Sequence, residues 1–176
     1  MRYTVLGAGG FIGKALCQSL SEQGHTVYAP SREEIAHWPG EWLGHDLGHV
    51  LYCIGVTADF RSRPLEAVQA HVCMLQRVLR AGSFSSLTYL SSARVYAHAS
   101  STAEAADLWV SPGSLDSLYN LSKLMGESAC LQGSSRARAV RLSHVYGPDP
   151  GSENFLASVL GEAARTGRVL IRTSPD

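Results

Sequence analysis

The sequence is short of charge. Lys, Arg, Asp and Glu make up 17% of its 176 residues, and the two signs cancel at 15 each. Roughly 25% is usual for soluble domains. With no basic stripe and no acidic tail, nucleic acid and anionic membrane surfaces are poor partners. No apolar run is long enough to span a bilayer. The N-terminus runs from Met1 straight into a strand-like segment, without the charged stretch, apolar stretch and cleavage site of a secretory leader, so a cytoplasmic location is expected. Cysteine spacing is also uninformative: Cys17, Cys53, Cys73 and Cys130 are scattered through apolar segments with no C-x-x-C pair. They read as reduced core residues, neither bridges nor metal ligands, and no metal site is expected.

What is present is a core and a clear order of elements. Hydrophobic residues are 45% of the chain, enough for one globular domain spanning residues 1–176. Arg2-Tyr3-Thr4-Val5-Leu6 is β-prone and ends abruptly in glycine. Gly7-Ala8-Gly9-Gly10-Phe11-Ile12-Gly13 follows, then a helix closed by Gly24, then a second strand at His25-Thr26-Val27-Tyr28-Ala29. Strand, glycine turn, helix and strand within thirty residues make a βαβ unit. Such a turn lets backbone approach a pyrophosphate, and the helix start, with Phe11 and Ile12 first, offers free N–H groups and a positive dipole end. The spacing is G-x-x-G-x-x-G at Gly7, Gly10 and Gly13, not the commoner G-x-G-x-x-G.

The end of the second strand chooses between dinucleotides: a carboxylate there binds a ribose 2′-hydroxyl, an arginine a 2′-phosphate. Ala29-Pro30-Ser31-Arg32 has no carboxylate. The expectation is NAD(P) with NADP favoured over NAD through Arg32, against the alternative that Arg32 is an ordinary solvated side chain. From Glu33 to His45 the pattern is poor, and Trp38-Pro39-Gly40-Glu41-Trp42 is no regular helix interior, so a full helix and strand have no room there. Asp46, a further candidate cofactor contact, precedes His49-Val50-Leu51-Tyr52-Cys53-Ile54-Gly55, which is apolar as a central parallel strand should be.

The loop Val56–Pro64 holds Arg61 and Arg63, read as solvated charge with phosphate contact as the alternative. A helix over Leu65–Ala81, a strand at Leu87-Thr88-Tyr89-Leu90 and Ser91-Ser92 at its edge follow. After a loop over Ala99–Asp116, Asp116 or Ser117 caps a helix with Leu118, Leu121, Leu124 and Met125 inward. Ala137–Leu142 is another strand, a helix runs from about Asn154 to Thr166, and Val169–Arg172 is a last strand candidate. The whole is an α/β, doubly wound parallel sheet with helices on both faces.

The chemistry centres on Tyr119-Asn120-Leu121-Ser122-Lys123. At four apart, Tyr119 and Lys123 share one helix face. An ammonium group nearby lowers a phenol's pKa, and a hydroxyl such as that of Ser92 holds a substrate oxygen while the tyrosine moves its proton. Alone, such a pair is often surface decoration.

Four motifs together resemble one family, the extended short-chain dehydrogenases/reductases, which include nucleotide-sugar epimerases, dehydratases and reductases. They are Gly7-x-x-Gly10-x-x-Gly13; Leu90-Ser91-Ser92-Ala93-Arg94-Val95-Tyr96; Tyr119-x-x-x-Lys123 with Gly126-Glu127; and Arg141-Leu142-Ser143-His144-Val145-Tyr146-Gly147-Pro148. The resemblance implies Ser92 as catalytic hydroxyl, Tyr119 as base, Lys123 as its partner and a contact to the nicotinamide ribose, and a nucleotide-sugar as substrate. Ala93 and Arg94 stand where the dehydratase branch carries acidic residues, which points to epimerase chemistry. A keto-sugar reductase using the same residues, and a non-catalytic dinucleotide-binding module, remain the alternatives. His71 and His144 stand where the family usually has asparagine. The family often pairs two copies through the Tyr/Lys helix and the one before it, so a homodimer is among the expected partners. The family's C-terminal substrate lobe is expected to be absent or truncated.

Overall fold

Five short β-prone segments line up as one parallel sheet in a computed structural model of the chain: β1 (Arg2–Leu6), β2 (Thr26–Tyr28), β3 (His49–Tyr52), β4 (Ser86–Ser92) and β5 (Ala137–Leu142), in the order β2-β1-β3-β4-β5. All four pairings are parallel. The structure describes residues 1–37, 44–56, 58–114, 116–147 and 155–170. The Trp38–Trp42 stretch, Pro148, the Asn154 helix start and the Ile171-Arg172 half of the last strand candidate lie outside the described residues. Val169 and Leu170 are not in a strand.

The helices are α1 (Phe11–Glu22), α2 (Arg32–Ala36), α3 (Pro64–Val68), α4 (Met74–Ala81), α5 (Ser117–Gly133) and α6 (Phe155–Thr166). Because β1 to β2 steps one way across the sheet and β3 to β4 to β5 the other, right-handed crossovers put α1 on one face and α3 to α5 on the opposite one. The direction of winding reverses between β1 and β3. In such sheets ligands bind at that switch point, outside the carboxyl ends of the strands. Between β2 and β3 only the single turn of α2 is seen among the described residues, in keeping with the abbreviated segment read there.

The core is built where β-branched and aromatic side chains of the central strands meet the helices. Val50, Tyr52, Leu75, Val78, Leu87 and Tyr89 are all sealed from solvent. The helix expected over Leu65–Ala81 is present but not uniform. A turn of π-helix, Gln69–Cys73, separates α3 from α4. The Tyr52 hydroxyl donates to the Ala70 carbonyl within this turn at 2.6 Å. Widened turns of this kind re-aim the residue they carry, and here that residue is His71, fully buried.

Helix α5 corrects a second expectation. Leu118 and Met125 do not point inward; they are 37% and 56% exposed. The buried face is Ser117, Asn120, Ser122, Lys123, Gly126, Glu127 and Cys130. Ser122, Lys123 and Glu127 go inside because each finds a partner there, as described below. Gly126 makes the approach possible: a Cβ on it would stand 2.5 Å from the Tyr89 hydroxyl and 2.8 Å from the His71 carbonyl.

The chain divides into two compact units, Met1–Ser143 and His144–Asp176. The second contains α6, which ends in Gly167 at φ 67°, where the Thr166 hydroxyl caps the Glu162 carbonyl.

Candidate active site

The glycine turn leads from β1 into α1 at the switch point. Two of its glycines are required by the fold itself. Gly7 has φ 89°, and a Cβ on it would stand 2.8 Å from the backbone of Cys53; a Cβ on Gly13 would run into the Gly7 carbonyl oxygen. Gly9 and Gly10 are different. Around Gly9 a Cβ would meet nothing within 4 Å, and at Gly10 only ordinary contact at 3.5 Å. Neither has positive φ. No packing or backbone reason keeps side chains off this surface; a phosphate-bearing ligand laid against it is such a reason. The α1 start has no side-chain cap and no acid in its first turn, so the N–H groups around Phe11 and Ile12 face an anion without competition. The chain's own residues thus fit a dinucleotide pyrophosphate.

Arg32 is exposed in the first turn of α2, just past the carboxyl end of β2. The nearby acid Glu34 is engaged locally. It closes a capping box with Ser31 and accepts the Tyr28 hydroxyl at 2.9 Å, and these bonds, the Ser31 backbone N–H foremost, hold its carboxyl below the usual range. Asp46 is a correction. It bridges to Ser83 ahead of β4, and its Oδ1 accepts the Gly48 N–H at 2.9 Å, with Gly48 packed on the Arg2 carbonyl. Those are the entry ends of β1, β3 and β4, opposite the crevice, so Asp46 shapes a turn and does not face the cofactor side.

Ser92, Tyr119 and Lys123 do come together. Ser92 is the last residue of β4, and α5 crosses over that strand end. Burial raises the Tyr119 pKa above its ordinary value, and the nearby Ser92 hydroxyl and Arg94 charge pull against it. The expected pull from Lys123 is not among these effects. The Lys123 ammonium is only 5% exposed, donates to the Leu90 carbonyl at 2.8 Å and lies 5.2 Å over the Tyr89 ring. Burial brings its pKa down to about 8.

His71, noted in the sequence only as a departure, is part of this cluster. Its ring meets Tyr119 edge-on at 5.2 Å, and its Nδ1 lies 2.8 Å from Ser122 Oγ. Ser122 spends its one hydrogen on the Tyr119 carbonyl, also at 2.8 Å. It must therefore accept from His71, so Nδ1 carries the proton and Nε2 is a bare acceptor. Nε2 is buried without a partner. Burial and the Lys123 charge push the imidazole pKa down to about 3, so the ring is neutral. A Cβ on Gly55 would stand 3.4 Å from this Nε2 and 3.7 Å from Lys123 Nζ. Gly55 therefore lies directly against one acceptor and one donor.

On the other side of Tyr119 the Phe60 ring stacks at 4.5 Å. Arg61 and Arg94 lie over that ring at 4.7 and 5.0 Å, and both reach Asp116. Arg63 instead pairs with Glu66 at 2.6 Å. Asp116 stands at the α5 N-cap position but makes no capping bond with its side chain; the two arginines have taken it.

Behind the site, Glu127 is held by Arg141 through paired bonds of 3.0 and 2.8 Å and by the Ser91 hydroxyl, while Arg141 Nη1 donates to the Tyr96 hydroxyl at 2.8 Å. The signal was available: Tyr96, Glu127 and Arg141 belong to three of the four motifs, and each is a polar residue in an apolar context. Among the described residues no helix is long and apolar enough to cross a membrane, and no group of three or more His, Cys, Asp or Glu gathers as metal ligands.

A parallel sheet with a bare glycine-rich turn at its switch point, and a Ser/Tyr/Lys cluster at a neighbouring strand end, is the arrangement of dinucleotide-binding α/β proteins. The family model for the NAD dependent epimerase/dehydratase family matches residues 3–173, and the chain belongs to that family. No curated protein matches the chain in sequence. Solved structures resemble it in fold. An NAD-dependent NDP-hexosamine 5,6-dehydratase of tunicamycin biosynthesis superposes with TM-score 0.77 at 20% identity, over 99% of this chain and 65% of its own. UDP-glucuronic acid 4-epimerase from Bacillus cereus, in complex with NAD, gives 0.75 at 20% identity, over 94% and 63%. A dTDP-4-dehydrorhamnose reductase from Bacillus anthracis, in complex with NADP, gives 0.70 at 19%, over 94% and 61%. The chain thus spans less than two thirds of the length of these proteins.

Proposed function

We propose that the chain performs NAD(P)-dependent, epimerase-type redox chemistry at a carbinol of a nucleotide-sugar. The observation that carries this reading is the convergence of Ser92, at the carboxyl end of β4, with Tyr119 and Lys123, one turn apart on the α5 helix packed against that strand. In this reading Tyr119 takes the carbinol proton, and Ser92 holds the reacting oxygen while that proton moves. Lys123 keeps donors beyond the one used on Leu90, and these are what it offers the nicotinamide ribose. The Gly7–Gly13 turn, Phe11, Ile12 and Arg32 hold the dinucleotide, with NADP favoured because the strand end offers a guanidinium and its nearby acid is engaged as a cap. Bound NAD(P) supplies hydride acceptor and donor chemistry.

Tyr119→Phe tests the assignment. General acid–base groups of this kind contribute about 10² to 10⁴-fold to rate, so turnover of a nucleotide-sugar falls by at least about 10²-fold while NADPH binding persists. Unchanged turnover overturns the reading.

One observation favours a second reading, a net keto-sugar reductase. Burial holds the Tyr119 phenol above its ordinary pKa, which keeps it protonated and ready to donate to a carbonyl oxygen. Stoichiometric NADPH consumption identifies the reductase, and a cofactor that cycles without net loss identifies the epimerase.

A further inference from the structure

Two guanidinium groups converge on a single carboxylate beside Tyr119. Arg61 Nε lies 2.7 Å from Asp116 Oδ1 and Arg94 Nη2 lies 2.8 Å from Asp116 Oδ2. Both arginines also cover the Phe60 ring, whose other neighbour is Tyr119. Arg94 is tied to the hydroxyl residue as well, since its backbone N–H donates to Ser92 Oγ at 3.2 Å. The fork therefore opens within one side chain of both the proton-transfer groups.

Asp116 is held through one oxygen: its Oδ2 accepts from Arg61 Nη2 at 3.0 Å and from Arg94 Nη2 at 2.8 Å, while its Oδ1 makes no well-directed hydrogen bond despite its closeness to Arg61. It leaves an α5 N-cap unserved, which is where an aspartate at this position ordinarily gives its carboxylate. The pairs are open to solvent, with Arg61 51%, Arg94 43% and Asp116 32% exposed. Exposed ion pairs contribute little, so exchange of one carboxylate for another is cheap. Two guanidiniums against one carboxylate also leave one positive charge over. Paired planar donors match a carboxylate better than a hydroxyl.

We propose that Arg61 and Arg94 form the receiving site for a carboxylate on the substrate, and that Asp116 occupies this site until the substrate displaces it. The substrate class is then an acidic nucleotide-sugar, a uronate, with its acid group placed close to the reacting carbinol. This rests on the proposed carbinol chemistry at Ser92 and Tyr119. On displacement, Asp116 turns to the free N–H groups at the start of α5, the helix that carries Tyr119 and Lys123.

The test is a calorimetric titration of the NAD(P)-loaded full chain with UDP-glucuronate and with UDP-glucose, which differ only in the acid at C6. The expected result is at least ten-fold tighter binding of the acid. Arg94→Ala brings the ratio to within two-fold of one, and Arg94→Lys restores part of it. Asp116→Asn tightens UDP-glucuronate several-fold and leaves UDP-glucose unchanged, an effect that damage to the fold does not produce. Equal affinities in the unaltered chain, or a preference that survives Arg94→Ala combined with Arg61→Ala, overturn the proposal. Because binding is the readout, failure of the acid preference is separate from failure of Tyr119→Phe to lower turnover.

Discussion

His71 offers a sharp test of the site's electrostatics. The ring is sealed from solvent at the π turn, with its Nδ1 proton engaged on Ser122 and its Nε2 beside Gly55, which Lys123 Nζ also approaches. Besides the Lys123 ammonium, the groups facing it from α5 are the Tyr119 ring and the Ser122 hydroxyl. Protonation would place an imidazolium in a dry pocket beside an ammonium, and the pKa falls from 6.5 to about 3. The unfolded chain has no such obstacle. Below pH 6.5 it binds a proton that the folded chain refuses. Stability is therefore intact above the unfolded value and is lost as pH falls toward the folded one. At about 1.4 kcal/mol per pH unit the full effect approaches about 5 kcal/mol, of which about 3 kcal/mol falls between pH 6.5 and 4. That is a large share of the roughly 5–15 kcal/mol that holds a domain together. His71→Asn keeps a polar group for Ser122 but does not titrate. Urea unfolding of both proteins at pH 7, 6, 5 and 4 is expected to show curves that converge as pH falls, with the variant losing less. If the two stabilities run parallel across this range, the neutral buried imidazole is not the acid-labile element and the reasoning fails.

Two further outcomes follow from the same geometry. Glu127→Ala strands the Arg141 guanidinium; breaking a buried pair costs about 3–5 kcal/mol. Arg141 is 18% exposed and keeps the Tyr96 hydroxyl, so the lower end, about 3 kcal/mol, applies. In a chain of 176 residues that lowers Tm by about 6–12 °C, and a loss under about 1 kcal/mol in urea contradicts a structural role for the pair. Arg32→Ala is expected to weaken NADPH about ten-fold and leave NADH unaffected, as a lost 2′-phosphate contact requires; fluorescence titration in which the unaltered chain binds NADH as well as NADPH defeats the NADP preference.

The sheet was legible because its strands read as short β-prone runs between breakers, the central ones buried. Ala137–Leu142 falls at its expected limits, and the Gly7–Gly13 turn marks its own place. Periodicity could not show the π turn, because one extra residue in a helical turn leaves the apolar pattern of the flanking turns intact. Without the π turn, the buried position of His71 has no sequence signature. Asp46 was misplaced for a topological reason. An acid next to a strand looks the same at either end, and only the shared register of β1, β3 and β4 shows that it lies at the entry side.

Helix α5 shows why apolar periodicity gave the wrong face. Its leucines and Met125 mark an apolar stripe, yet the face turned to β4 carries Ser122, Lys123, Gly126 and Glu127. Each has a reason that is not hydrophobic. Ser122 links His71 to the Tyr119 carbonyl, Lys123 caps the Leu90 carbonyl, Gly126 admits Tyr89, and Glu127 receives Arg141 and Ser91. A helix that buries polar groups loses desolvation energy for each one left unpaired. The atoms that stay unpaired on this side of the fold are therefore informative. His71 Nε2 is one of them, beside Gly55, which Lys123 Nζ also approaches. The helix is polar inward because it presents the chemistry, and its exposed apolar residues are what that arrangement displaces to the surface.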